Sequence, residues 1–183
     1  SLKSIGENKK ADEMLQLFHQ KIGITSESMN YLDQIKANSG RYQIENAGIN
    51  SPYSDYGTAK YGNKIVFTTA RDTGGLTHRT HSWNNQFFTN LYTSQVSEDG
   101  TLSKPEPFDD AVKSRFHEAT PIFTKDGKTM YFTRNNFLKG KKGKSQDKTT
   151  LLKIYRANSV DNLWTNVTEL PFNSDQFSTA HPA

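Results

Sequence analysis

The feature that most constrains this chain is an internal repeat. Ser54-Asp55-Tyr56-Gly57-Thr58-Ala59-Lys60-Tyr61 alternates in polarity, turns at Gly62-Asn63, and continues as Lys64-Ile65-Val66-Phe67-Thr68-Thr69. The same grammar returns in Ala119-Thr120-Pro121-Ile122-Phe123, a turn at Asp126-Gly127, and Met130-Tyr131-Phe132-Thr133. Alternation, a glycine-containing turn and a β-branched or aromatic run spell a β-hairpin. Each hairpin precedes a second: Asn90-Leu91-Tyr92 leads through Ser97-Glu98-Asp99-Gly100 to Pro107-Phe108, and Lys153-Ile154-Tyr155 leads through Asp161-Asn162 to Pro171-Phe172. A third copy opens at Phe177-Ser178-Thr179-Ala180-His181-Pro182, and matched positions lie 61 to 65 residues apart throughout.

Four short strands per unit, each unit burying its apolar face on the next, predicts propeller blades. The fold expected is mainly β: a fragment of a β-propeller, with blade 1 at about 54–108, blade 2 at about 117–172 and the start of blade 3 at 177–183. The period exceeds the roughly 40–45 residues of a common blade; the excess falls in 72–86 and 135–149, expected as polar loops between second and third strands. A ring needs roughly four to eight blades, so the chain reads as an excerpt whose open end carries Ile122, Phe123 and Ile154.

Residues 1–40 follow a different period. Ala11, Met14, Leu15, Phe18 and Ile22 recur every three to four residues, predicting an amphipathic helix over 8–22 closed by Gly23. Ser26 is an available N-cap for a second helix through Met29, Leu32 and Ile35, ending at Asn38-Ser39-Gly40. The expected division is a helical hairpin, 1–40, and a partial propeller, 41–183. Low hydrophobic content, 33%, beside 11% aromatic residues agrees with sheets more than bundles. The absence of cysteine removes disulfides and thiolate chemistry, and no apolar run is long enough for a membrane-spanning helix.

Asn50-Ser51-Pro52-Tyr53-Ser54-Asp55-Tyr56-Gly57 and Ala119-Thr120-Pro121-Ile122-Phe123 with Asp126-Gly127-Lys128-Thr129-Met130-Tyr131-Phe132 resemble the PD40 (WD40-like) blades of Bacteroidetes envelope proteins. The resemblance covers about residues 50–183. With a helical hairpin in front, it resembles the class that joins TPR repeats, a PD40 propeller and an OmpA-type peptidoglycan-binding domain, members of which serve the type IX secretion and gliding machinery. It implies a non-catalytic periplasmic scaffold associated with the outer membrane, whose partners are envelope proteins. Peptidoglycan would be reached only through a domain outside this chain. The alternative is the propeller of a carbohydrate-active enzyme or a peptidase whose catalytic part lies elsewhere.

His78 and His81 have a spacing that a metal could use on a helix, but they sit in a loop without a third ligand, so solvated loop or partner contact is preferred. His78, Arg79, His81 and Trp83, with Lys141, Lys142 and Lys144 of the second long loop, are the candidate partner-contact residues. The run Lys139-Gly140-Lys141-Lys142-Gly143-Lys144 accounts for much of the +4 net charge. It lacks interleaved aromatics, so a mobile solvated loop is expected and nucleic acid is not. His117 and His181 are expected to pack between blades. Asp99 and Asp126 precede turn glycines and Asp55 is expected to bond main chain between blades, so none is read as catalytic. No catalytic residue, metal or cofactor is expected.

Overall fold

A computed structural model of the chain describes residues 6–23, 35, 37–40, 45–71, 80–81, 84–143, 145 and 147–183. The chain divides into two compact units, Ser1–Glu45 and Asn46–Ala183.

In the first unit, helix α1 spans Asn8–Ile22. Gly23 ends it in the left-handed conformation, its N–H donating to the His19 carbonyl, as a glycine free of Cβ strain allows. His19 and Lys21 place basic groups in the last turn, where they complement the negative end of the helix dipole. Met14, Leu15, Phe18 and Ile22 are exposed. Ile35, Ala37 and Asn38 have helical backbone; residues 26–34 of the second expected helix lie outside the described residues.

The second unit is mainly β. Strands β1 (Asp55–Tyr61), β2 (Lys64–Thr69), β3 (Asn90–Gln95) and β4 (Glu106–Pro107) form one antiparallel sheet in chain order. Strands β5 (Glu118–Phe123), β6 (Thr129–Asn135), β9 (Leu152–Val160) and β10 (Leu163–Glu169) form a second, ordered β10-β9-β6-β5, while β7 (Phe137–Leu138) and β8 (Lys141–Lys142) make a small hairpin. Burial follows position. Edge strand β1 alternates half-buried and exposed, whereas Val66, Phe67, Thr68 and Thr69 of β2 are all buried, as in a strand paired on both sides. The core joins Val66 and Leu91 to Met130, Phe132, Tyr155, Ala157 and Trp164, with Val112 from the 3-10 turn Asp110–Val112.

Turn chemistry sets the hairpins. Tyr61 pairs with Lys64 across Gly62-Asn63, and Gly62 takes φ +59°. Asp161 and Asn162 both adopt positive φ between paired Val160 and Leu163, the requirement of a type I′ turn. The expected hairpin turn at Asp126-Gly127 joins β5 to β6. Thr124 and Thr129 close a longer loop through Thr124 N to Thr129 O, and Asp126 Oδ1 accepts from Lys128 N and the Thr124 hydroxyl. Only Gly127 is left-handed there.

The two sheets meet along aromatic rings and a few main-chain bonds. Tyr61 of β1 stacks on Phe123 of β5 with centroids 4.5 Å apart, and Phe108 and Trp164 complete the cluster at 5.8 to 6.2 Å. Such pairs add about 0.5–1.5 kcal/mol each beyond area burial. Phe123 is therefore enclosed between sheets and Ile154 is 7% exposed, so neither belongs to an open apolar face as expected. Phe123 is drawn inward by the aromatic rings between the sheets, while the Ile154 main chain bonds Asn173 and Leu170.

Strands β1 and β5 each carry a bulge, between Tyr56 and Ala59 and between Ala119 and Ile122. At these bulges Gly57 and Thr120 take φ +61° and +46°; His181, 61 residues beyond Thr120, takes +58°. Glu118 N donates to Thr89 O and Thr120 N to Thr68 Oγ1, joining β5 to the first sheet. Thr179 N donates to Leu152 O and His181 N to Thr133 Oγ1, joining the tail to the second sheet. The two docking patterns coincide, although residues 177–183 form no strand.

The segment 135–149 is not a plain loop: β7 and β8 pair Phe137 with Lys142 and Leu138 with Lys141. Lys139 and Gly140 turn the chain with φ +48° and +79°, letting a lysine-rich run fold back on an aromatic base.

Candidate functional site

Three histidines, far apart in sequence, line one cleft of about 370 Å3 where β1, β5 and the tail converge: His81, His117 and His181. Tyr56, Gln86 and Thr89 share its wall. His117 is placed by the start of β5, where its N–H donates to Asn135 Oδ1. His181 is placed by its bond to Thr133. The loop carrying His81 is closed on itself, with His81 N bonded to Gln86 O and Asn85 N to His81 O.

His117 Nδ1 accepts from Thr89 N at 3.2 Å, with the Thr89 hydroxyl at 3.1 Å, leaving the ring proton on Nε2. Burial pushes the His117 pKa down to about 4, with a smaller contribution from neighbouring His81, so the ring is neutral at ordinary pH. Its ring centroid lies 5.2 Å from that of His81 and 4.6 Å from that of Phe88. Burial also raises the Tyr56 hydroxyl, against a hydrogen bond with the Thr89 side chain. Ser54 Oγ donates to Gln86 Oε1 at 2.7 Å, which engages the hydroxyl elsewhere than on an imidazole.

The candidate contact residues scatter. His81 is half-buried against His117 and Phe88, which corrects its expected place in a solvated loop; the aromatic side chains of its own hairpin pull it in. Lys141 and Lys142 are exposed, but they belong to a strand, and Lys142 Nζ stands 5.0 Å over the Phe116 ring. Phe137 adds a second ring 5.1 Å from Phe116, so the expected mobile lysine loop has a fixed base. His78, Arg79, Trp83 and Lys144 lie outside the described residues. Among the described residues, no group of three or more His, Cys, Asp or Glu is arranged to hold a metal.

The carboxylates occupy other roles. Asp55 accepts from Ser51 N and Oγ and from Arg71; burial alone would raise its pKa, but bonds from Thr69, Ser51 and Arg71 hold it below the usual value. Its partners belong to its own sheet and the segment before it, correcting its expected place between repeats. Glu118 went unremarked in the sequence. It is 1% exposed, bonded by Arg134 Nε at 3.0 Å and by the Ser114 hydroxyl. Burial pushes its pKa up to about 7 against the opposing pull of Arg134 and Ser114. Arg134 also bonds the Val112 carbonyl and lies over Phe132 and Tyr155. Arg71 lies over Phe67 and Tyr92 in the same way while reaching Asp55. An acid opening the first strand and an arginine ending the second would have flagged this pair.

Compared with known proteins, the chain matches no family model, no curated protein and no solved structure.

Proposed function

We propose that residues 46–183 are two blades of a β-propeller and that the protein is a non-catalytic, protein-binding scaffold of the cell envelope. The observation that carries the reading is the recurrence of one docking pattern: Glu118 and Thr120 on the first sheet, Thr179 and His181 on the second. A sheet that receives the start of the next unit through the same bonds is built for repetition, and radial repetition of four-stranded sheets is how propellers protect their edges. Rigid sheets then present their connections as contact surfaces at little entropic cost. On this reading the helices before residue 40 are the end of a TPR array. The propeller sits in the periplasm at the outer membrane, and an OmpA-type domain outside this chain links type IX secretion or gliding machinery to peptidoglycan.

The contact surfaces would be the segment containing His78, Arg79, His81 and Trp83 and the hairpin carrying Lys141 and Lys142, with Lys144. Photo-crosslinking from positions 79 and 142 in intact cells tests this. Capture of an outer-membrane or periplasmic protein, lost in the Lys141→Glu, Lys142→Glu double variant, is the expected result. Recovery of the protein in the cytoplasmic fraction, or turnover of a glycan or peptide bond by the purified protein, would overturn it.

A further inference from the structure

We propose that the cleft between β1, β5 and the tail binds a short neutral saccharide, free or carried on a larger glycan. The inference stands on the cleft alone and does not depend on whether the sheets complete a ring.

Among the described residues, none lining the cleft is Asp, Glu, Lys or Arg, and burial holds His117 neutral. A phosphate, carboxylate or ammonium ligand would shed its hydration there with no carboxylate, lysine or arginine among those residues to meet it, which is costly. A purely apolar ligand fits no better, because it would strand the polar groups of the wall.

What the wall offers is hydrogen bonding from side chains without formal charge, several of them donors. Asn84 spends its side-chain carbonyl on Gln86 N, and Gln86 spends its own on Ser54 N and Oγ. The amide NH2 group of each is left as a donor. His117, accepting at Nδ1, keeps Nε2–H as a further donor. Donors without charge are what hydroxyl and ring oxygens of a sugar accept from.

Aromatic rings supply the second half of the match: Tyr56 lines the cleft and is 43% exposed, and Tyr53, 37% exposed, meets Phe87 of the wall edge-on at 5.6 Å. Half-exposed rings whose faces carry negative quadrupole charge suit the polarised C–H face of a pyranose. A volume of about 370 Å3 falls in the range of small-molecule sites, roughly 300–1,000 Å3, enough for a short oligosaccharide.

Isothermal titration of the full-length gene product with maltotriose, with triacetylchitotriose and with trigalacturonate tests the proposal. Saturable binding of at least one neutral trisaccharide, without binding of the anionic one, is expected. Tyr53→Ala should weaken it about tenfold, and Asn84→Ala, in an exposed turn, about three- to tenfold, the loss of one ring contact or one hydrogen bond. Lys104→Ala, at an exposed position away from the cleft, should leave it unchanged. Circular dichroism checks that each variant folds; Asn84→Ala keeps the test decisive if Tyr53→Ala does not. No binding of either neutral sugar, equal binding of trigalacturonate, or affinity indifferent to both cleft variants would each overturn it. Envelope crosslinks that persist beside such a failure would leave the scaffold reading standing.

Discussion

Thr120 closes over Gly57 so tightly that a Cβ built on the glycine would stand 3.0 Å from Thr120 Cγ2 and 3.2 Å from its Cα. The glycine's φ of +61° is itself unfavourable for any side chain. Gly57→Ala therefore meets both a backbone penalty and a contact that moves main chain. A loss of about 1–3 kcal/mol is expected, read as a lower urea midpoint at unchanged m value. A loss below about 0.5 kcal/mol, the ordinary range for surface substitutions, would mean the sheets are not held this close in solution.

His117 should make stability fall in acid. Its folded pKa of about 4 lies below the 6.5 of a free imidazole. Between those values the unfolded chain binds more protons, and stability drops as pH falls from about 6.5 through about 4. In a Glu118→Gln background, where this is the main remaining slope from the pair, unfolding free energy measured across pH 4.5–6.5 should rise with pH.

Glu118 works in the opposite sense. Its folded pKa of about 7 lies above the ordinary 4.5, so the native chain holds the extra proton. The contribution is full below about 4.5 and is lost as pH rises through about 7. His117→Gln should expose a stability that declines over the same interval, while the parent chain is flatter than either variant. A slope that rises in both variants would refute the Glu118 assignment, and one that falls in both the His117 assignment.

Arg134→Ala should cost far more than Arg71→Ala. The Arg134–Glu118 pair is 5% and 1% exposed, against 17% and 13% for Arg71–Asp55. Breaking a buried pair strands a charge at a cost of about 3–5 kcal/mol; the more open pair is expected to give about 1–2 kcal/mol through its ion pair and ring contacts. The Arg134→Ala penalty should shrink as pH falls through about 7, where Glu118 takes up its proton. Equal penalties in thermal or urea unfolding would show that burial does not separate the two sites.

The hairpins were legible because turn chemistry and alternation write themselves in residue type: Gly62, Asp161-Asn162 and the buried runs of β2 and β6 stand where their residues place them. The bulge was not. Gly57, Thr120 and His181 share a left-handed backbone and a place in the repeat yet share no side-chain property; at Thr120 and His181 a threonine hydroxyl of the preceding sheet accepts the main-chain N–H. Arg71 and Arg134 perform matching tasks from positions two residues out of step with the strand register, so comparing residues by offset alone hides one of them. The cleft was illegible for a similar reason: His81, His117 and His181 look unrelated until the tail docks beside β5. Charge hid the β7–β8 hairpin, because a lysine run carries no period-2 signal.

The bond from His181 N to Thr133 Oγ1 holds a left-handed residue of the tail against the second sheet, as the bond from Thr120 N to Thr68 Oγ1 holds one of β5 against the first. One threonine hydroxyl on each sheet thus acts as a latch for the segment that docks on it. Thr133→Val keeps the volume of the second latch and removes its oxygen, which also meets the Thr120 hydroxyl at 2.9 Å, so the tail would loosen at His181 while the Thr68 latch on β5 stays closed.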